Sequence, residues 1–541
     1  MCTLFSLKPS SSFLILFLLV LALLPKVWGL SSKGLFGYDE SYLLGFCRSA
    51  VSVAGEVWKQ REGILRGERS IAQLVTAERA RAVAMPAYLG VKPGHAAIIC
   101  ISVAVLTPVD YAGAWAMALF SVGSIYLVYL IGQQFYGSSV GVLSALILAV
   151  DPFLMAHART GKEIADTQFF FLLTLLLFLR GWQLASARCL FIAGVVAGLL
   201  LSINYVAVLA LGLLGLASLI GFRPNVRVSS QTYVKSYAAF IAGLSFSVML
   251  FVALTALAAR MIPDIPIFLL PGSAFVQPSI SPFRVFRPLY YWQAYQISEG
   301  VVWILLLLLA SVVVGWRLLR SRQMVDASLL LLAPGYLLLL GLLTPHMFVV
   351  PRSAMIVVPV AAILIAVGVV NGAHWGFDRL ASPLCRVFGF ALVGFTACLL
   401  VMNTFRSLHL INLHSGYREA ASWLRSHGGG RVESLHTFPM MDFYLGDRSL
   451  LYFSKSLSQE SLCSAFYQGQ VRYLLVDWYD MAKAASLDLP APKAVIPNPI
   501  GNEPIYAIEA GSSLNLRLAQ AASPTAGEIR IYDLADFKCS R

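Results

Sequence analysis

Gly37-Tyr38-Asp39-Glu40-Ser41-Tyr42 sets two adjacent carboxylates shortly after the first apolar run, residues 11–30. A second acidic stretch, Ala158-Arg159-Thr160-Gly161-Lys162-Glu163-Ile164-Ala165-Asp166, carries Glu163 and Asp166 beside two cations. A carboxylate held near a hydroxyl can act as its general base. Cations nearby, here Lys92, Arg159, Lys162, Arg284, Arg287 and Arg352, suit a strong hydrogen-bonding anion such as a phosphate. Plainer roles stand beside these. Asp39 suits the N-cap of a helix starting at Ser41, and Asp166 suits a solvated span end. Lys92 and the arginines suit snorkelling to headgroups. His346, alone at a span end, reads as structural rather than as a metal ligand.

The elements that must position these groups are helices in lipid. The chain has 541 residues, 58% hydrophobic and only 12% charged, where a soluble domain carries roughly a quarter charged residues. Several apolar runs approach the length needed to cross about 30 Å of hydrocarbon. The reading is a polytopic α-helical membrane protein of eleven spans. An uncleaved first span, 11–30, is followed by spans near 112–132, 138–151, 167–181, 189–202, 204–221, 237–260, 300–318, 328–344, 354–371 and 387–403. Residues 95–109 are apolar but span only about 22 Å as a helix and are read as not crossing.

On that count the loops 180–188, 222–236, 317–326 and 372–386 carry ten Lys or Arg, against five in 152–166, 261–299 and 345–353. The richer set belongs in the cytoplasm. The Asp39 loop and the 152–166 loop then share the outer face, where candidate acids and cations collect. The long first loop, 31–94, is not membrane-like. From Ala54 to Val83 its apolar residues recur with a helical period between Lys, Arg and Glu, which suits amphipathic helices in the headgroup plane.

Residues 1–403 therefore form the membrane domain and 404–541 a second one. From Phe405 onward 13 Lys and Arg balance 13 Asp and Glu, so the net charge of +13 lies in the membrane part. That fits orientation and phosphate-bearing lipid, not nucleic acid. A helix over Tyr417–His427 and β-prone runs at Arg431–Leu435, Ser449–Phe453 and Val471–Val476 predict a small outer α/β domain. Cys100, Cys189 and Cys398 read as packing residues in apolar runs, while Cys463 and Cys539 are placed to pair if this domain is outside. The absence of any N-x-[ST] sequon favours a bacterial source.

The order of these pieces resembles the C-type (GT-C) integral-membrane glycosyltransferases, with protein O-mannosyltransferases and aminoarabinose transferases nearest. Gly37 to Tyr42 is similar to the family's acidic pair after the first span, and Lys92-Pro93-Gly94-His95 to its lysine–proline motif. Ala165-Asp166-Thr167-Gln168-Phe169-Phe170 resembles the second acidic segment. Pro351-Arg352-Ser353 with Val358-Pro359-Val360 is similar to its Pro-Arg-Tyr…Pro pattern.

The resemblance implies transfer of a sugar from a polyprenyl-phosphate-linked donor to an outer-face acceptor, which is a protein, a lipid or a polysaccharide. It implies Asp39 as the catalytic carboxylate, Asp166 as a second acid, and Lys92 and Arg352 on the phosphate. The expectation built on it is an inverting transfer with Asp39 as base and Glu40 as a further candidate acid. Arg159, Glu163 and Tyr42 join the substrate-binding set. No cofactor is certain. A divalent metal stays open, although Val91 stands where aminoarabinose transferases carry a glutamate thought to help bind one, and Gly94 replaces the motif's second proline. The implied location is a bacterial plasma membrane with the C-terminal domain outside. Rival readings are a secondary transporter and a non-catalytic protein whose outer domain binds a glycan or partner. Spans nearly free of charge disfavour the transporter.

Overall fold

The computed structural model describes residues 9–68, 70, 71, 73, 74, 92–107, 109–220, 230–261, 289–343, 351–378, 383–427, 431–433, 438–446, 451–452, 458–478, 480, 484–507, 521–537 and 539. Val91, Arg284, Arg287, His346 and residues 75–83 of the expected amphipathic segment lie outside them. Among the described residues eight helices are long and apolar enough to cross a membrane. The protein is a polytopic α-helical membrane protein carrying a small sheet.

In chain order the membrane part comprises α1 (Pro9–Val27), α2 (Tyr38–Lys59), α3 (Pro93–Leu106), α4 (Ala112–Tyr136), α5 (Ser138–Ala149), α6 (Pro152–Ala158) and α7 (Ala165–Gln183). Then come α8 (Ala187–Ile203), α9 (Ala207–Ile220), α10 (Ser230–Met261), α11 (Tyr290–Glu299) and α12 (Val301–Ser321). The last are α13 (Met324–Leu330), α14 (Tyr336–Leu343), α15 (Val358–Asp378) and α16 (Pro383–Ile411). Helices α8 and α9 are apolar but short. Between α13 and α14 one π-helical turn, Leu331–Gly335, accommodates Pro334, whose missing N–H cannot continue an α-helical ladder.

Two local sequences set the loops that matter. Gly37 is extended and starts α2 at Tyr38, so Asp39 is a first-turn residue rather than the N-cap. Both acids of the pair sit where the helix dipole favours negative charge. Of the helix expected over 54–83, the described residues show its start inside α2, which begins earlier, and a short helix at Arg61–Leu65. Gly67, at φ 75°, ends that stretch. Trp58 and Leu65 there are 70% and 85% exposed.

At Asp151-Pro152, the carboxylate caps α6 by accepting from the Leu154 N–H at 2.7 Å, and proline fills the first helical position. The chain bends by 58° between α5 and α6. Residues 152–158, expected as loop, are thus helical and deliver the chain into the 159–164 turn.

Helix α3 spans about 21 Å, and both its ends meet one face. At its start Lys92 and His95 contact Glu163 and Asp166. Past its end Asp110 pairs with Arg418 at 2.5 Å and accepts from the Tyr444 hydroxyl at 2.6 Å, both in the C-terminal domain. That hydroxyl accepts from the Leu35 N–H at 2.8 Å, four residues before Asp39. A disulfide, Cys47–Cys100, joins α2 to α3, so Cys100 is not the free packing residue expected. Cys189 is disulfide-bonded too, while Cys398 is free.

The C-terminal domain begins with α17 (Tyr417–Ser426). Its five strands are β1 (Val432–Glu433), β2 (Leu451–Tyr452), β3 (Tyr473–Val476), β4 (Ala494–Pro497) and β5 (Glu528–Asp533), in sheet order β2-β1-β3-β5-β4. β1 pairs in parallel with β2 and β3, and β5 runs antiparallel to β3 and β4. A second disulfide joins Cys463 to Cys539. The domain packs on the membrane part through Phe36, whose ring lies 4.2 Å from Tyr506 and 6.5 Å from Trp478.

Candidate functional site

Four of the predicted residues converge although they come from four separate segments. Asp39 stands in the first turn of α2, Lys92 just before α3, Glu163 in the turn after α6, and Arg352 in the helical turn Pro351–Ala354. Arg352 Nη2 lies 2.5 Å from Asp39 Oδ2 and 3.7 Å from Glu163 Oε1. Lys92 Nζ lies 2.5 Å from the same Glu163 oxygen. The result is an alternating chain of charges, Asp39–Arg352–Glu163–Lys92, open at one end. The Asp39 side chain is 28% exposed and that of Glu163 only 2%.

The field of the cations holds both acids ionised. Burial raises the Asp39 carboxyl, but Arg352, with Lys162 and Lys92, brings it below the ordinary range. Burial likewise opposes ionisation of Glu163, and Lys92 and Arg352 outweigh it, leaving that carboxyl well below its usual value. Lys162, 5.0 Å above the Phe36 ring, is lowered to about 7, first by burial and then by Arg352.

The other expected residues do different work. Glu40 is buried; its Oε1 accepts from Gly161 N at 2.6 Å and its Oε2 from Phe36 N at 3.2 Å. It therefore ties the first loop to the second. Arg159, expected on a phosphate, ties segments together in this structure. It is 1% exposed, and its guanidinium donates to the carbonyls of Pro25, Lys26 and Trp28 and to that of Ile411. Asp166, expected to be a cavity acid, is fully buried with Oδ2 2.6 Å from His95 Nδ1. Tyr42, one turn beyond Asp39, is half-buried on α2.

Two participants were given no specific role beforehand. His95 follows Lys92 by three residues at a helix start, the spacing that puts both on one face. Lys162 adjoins Glu163 and was counted only as outer-face charge. Gly94, the departure from the lysine–proline motif, has a physical reason. A Cβ there would land on Ser202 Oγ and 3.0 Å from an Ile203 carbon, because α8 ends against the start of α3.

The family model for dolichyl-phosphate-mannose-protein mannosyltransferases matches residues 90–251, which include Lys92 and Glu163 but neither Asp39 nor Arg352. The structure is similar to the apo form of ArnT from Cupriavidus metallidurans, with TM-score 0.58 at 12% identity over 90% of this chain and 96% of that one. The form of that protein bound to undecaprenyl phosphate superposes with TM-score 0.56 at 11% identity, over 98% of this chain and 100% of the other. The archaeal oligosaccharyltransferase AglB from Archaeoglobus fulgidus, in complex with an inhibitory peptide and a dolichol-phosphate, gives TM-score 0.56 at 13% identity over 98% and 76%. The chain has the GT-C glycosyltransferase fold. No curated protein matches it in sequence. The charge chain built on Asp39 lies where the start of α2, the 159–164 turn and the Pro351–Ala354 segment meet.

Proposed function

We propose that the protein is a membrane glycosyltransferase that uses a polyprenyl-phosphate-linked sugar, acting on the outer face of a bacterial plasma membrane with residues 404–541 on that side. One observation carries this reading: Arg352 bonds Asp39 at 2.5 Å while also reaching Glu163. An incoming lipid phosphate, richer in acceptor oxygens than a carboxylate, competes for the Arg352 guanidinium. As Arg352 turns to the phosphate, Asp39 loses the partner that depresses its basicity and becomes the proton acceptor.

Asp39 then takes the proton from the acceptor hydroxyl. The new oxygen–carbon bond forms at the anomeric centre as the carbon–oxygen bond to the phosphate breaks, and that electron pair leaves with the phosphate oxygen. Attack opposite the leaving group inverts the centre. Arg352 and Lys92 stabilise the charge that develops on the phosphate, and Glu163 orients both cations. The relatives bound to undecaprenyl phosphate and dolichol-phosphate support this donor class. The acceptor is left as protein, lipid or polysaccharide.

We propose further that the cations replace a metal. Asp39, Glu163 and Asp166 are each engaged by Arg352, Lys92 or His95. Among the described residues no three His, Cys, Asp or Glu groups are close enough to share an ion. This donor set does not fit a resident divalent cation.

The test is transfer of radiolabelled sugar in membranes supplied with the donor lipid. Asp39→Ala is expected to abolish it; retained transfer by that variant would remove Asp39 from the mechanism.

A further inference from the structure

His95 is buried at the start of α3, and both ring nitrogens face acceptors. Nδ1 is 2.6 Å from Asp166 Oδ2, and Nε2 is 3.1 Å from the Gly161 carbonyl oxygen. A carbonyl cannot donate. Asp166 sits in the first turn of α7, where its Oδ1 accepts from Thr167 N at 2.8 Å and the helix dipole favours the anion. Both imidazole nitrogens must therefore carry hydrogen for the arrangement to be satisfied.

The Gly161 peptide is in turn gripped from the other side, its N–H donating to Glu40 at 2.6 Å. The next two residues, Lys162 and Glu163, belong to the charged site. A Cβ at Gly161 would lie 3.3 Å from Glu40 Cγ and 3.4 Å from the Gly113 Cα, so the turn is packed at van der Waals distance there.

We propose that His95 is a positioning residue: as an imidazolium bridging Asp166 and Gly161, it holds the 159–166 turn so that Glu163 stays aligned with Lys92 and Arg352. The groups facing it agree. Burial opposes its charge, Asp166 and Glu163 favour it, Lys92 opposes it, and the balance is raised above the ordinary histidine value. When the proton is lost, one nitrogen turns a lone pair toward an acceptor and the buried Gly161 carbonyl or Asp166 loses its partner. The hold on the turn is then complete below the ordinary histidine range and lost as pH rises through the raised value.

For catalysis this rests on the transferase reading; the structural test does not. Hydrogen exchange of the purified protein in nanodiscs, corrected for the intrinsic pH dependence, reports on peptides covering 159–166. In the wild type, protection of this turn is expected to drop about tenfold through the His95 titration. In His95→Gln, which retains a donor without titrating, the same peptides are expected to show no pH step, and in Asp166→Asn the step moves to lower pH. A step that persists in His95→Gln, or a wild type without one, overturns the proposal. Sugar transfer measured on the same samples is expected to lose kcat with the same midpoint while KM for the lipid donor holds. An exchange step without any transfer leaves His95 in place and refutes the enzyme; transfer without an exchange step does the reverse.

Discussion

Arg352 and Asp39 are 313 positions apart in the chain, and their side chains meet at 2.5 Å. In the mechanism proposed above, that one guanidinium restrains the base before the donor arrives and clamps the phosphate afterwards.

Arg352→Gln is expected to lower kcat/KM for transfer by about 10²–10³-fold, the range seen when one charge-stabilising donor is removed. It should also change the pH profile. Asp39 works ionised, so activity falls as pH drops through its folded value, which Arg352 holds below the ordinary range. Without Arg352 that acid limb moves to higher pH. Transfer rates from pH 4 to pH 8 check both parts, and an unmoved limb would separate Asp39 from the rate.

Lys162 predicts a stability effect of opposite pH sense. Its ammonium is held down to about 7 in the folded protein, chiefly by burial, against about 10.4 for an unperturbed lysine. Between those values the unfolded chain binds more protons, so Lys162's contribution to stability rises with pH. Lys162→Met is expected to unfold at a higher temperature than the wild type at pH 7, with the gap closing toward pH 10. A gap that does not vary with pH would mean that Lys162 titrates normally.

Gly94→Ala is expected to cost about 1–3 kcal/mol, the usual penalty for forcing atoms into filled space. The added carbon meets Ser202 and Ile203, whereas the equivalent change at Gly55 meets nothing within 4 Å. Thermal unfolding of the two variants side by side measures the difference. Because Gly94 lies between Lys92 and His95, the variant should also bind the lipid donor less tightly.

Eight of the eleven expected spans are helices long and apolar enough to cross, because a continuous apolar run of that length has few other uses in a protein. Those expected at 138–151, 189–202 and 204–221 are the shorter α5, α8 and α9. Asp39, Lys92, Glu163 and Arg352 were legible as a set because their types suit one reaction and the loop charges placed them on one face. What sequence hid was pairing. Arg159 and Arg352 look alike on paper, yet one donates to four carbonyls and the other to carboxylates. Nothing local distinguishes them, since their partners lie from more than a hundred to over three hundred residues away. The Cys47–Cys100 bond was hidden for the same reason. The last strand, Glu528–Asp533, is buried along its final three residues because it lies between β3 and β4, and neither of those antiparallel partners adjoins it in sequence.

The bonds made by Arg159 also order events during synthesis. It fastens the turn before Glu163 to the end of the first membrane helix and, through Ile411, to the end of α16. Three of its four bonds can form early, and the fourth waits until that final helix has been made. A nascent chain released before residue 411 should therefore be integrated in the bilayer without that fourth anchor, and limited proteolysis should cut its 159–164 turn faster than that of the full chain.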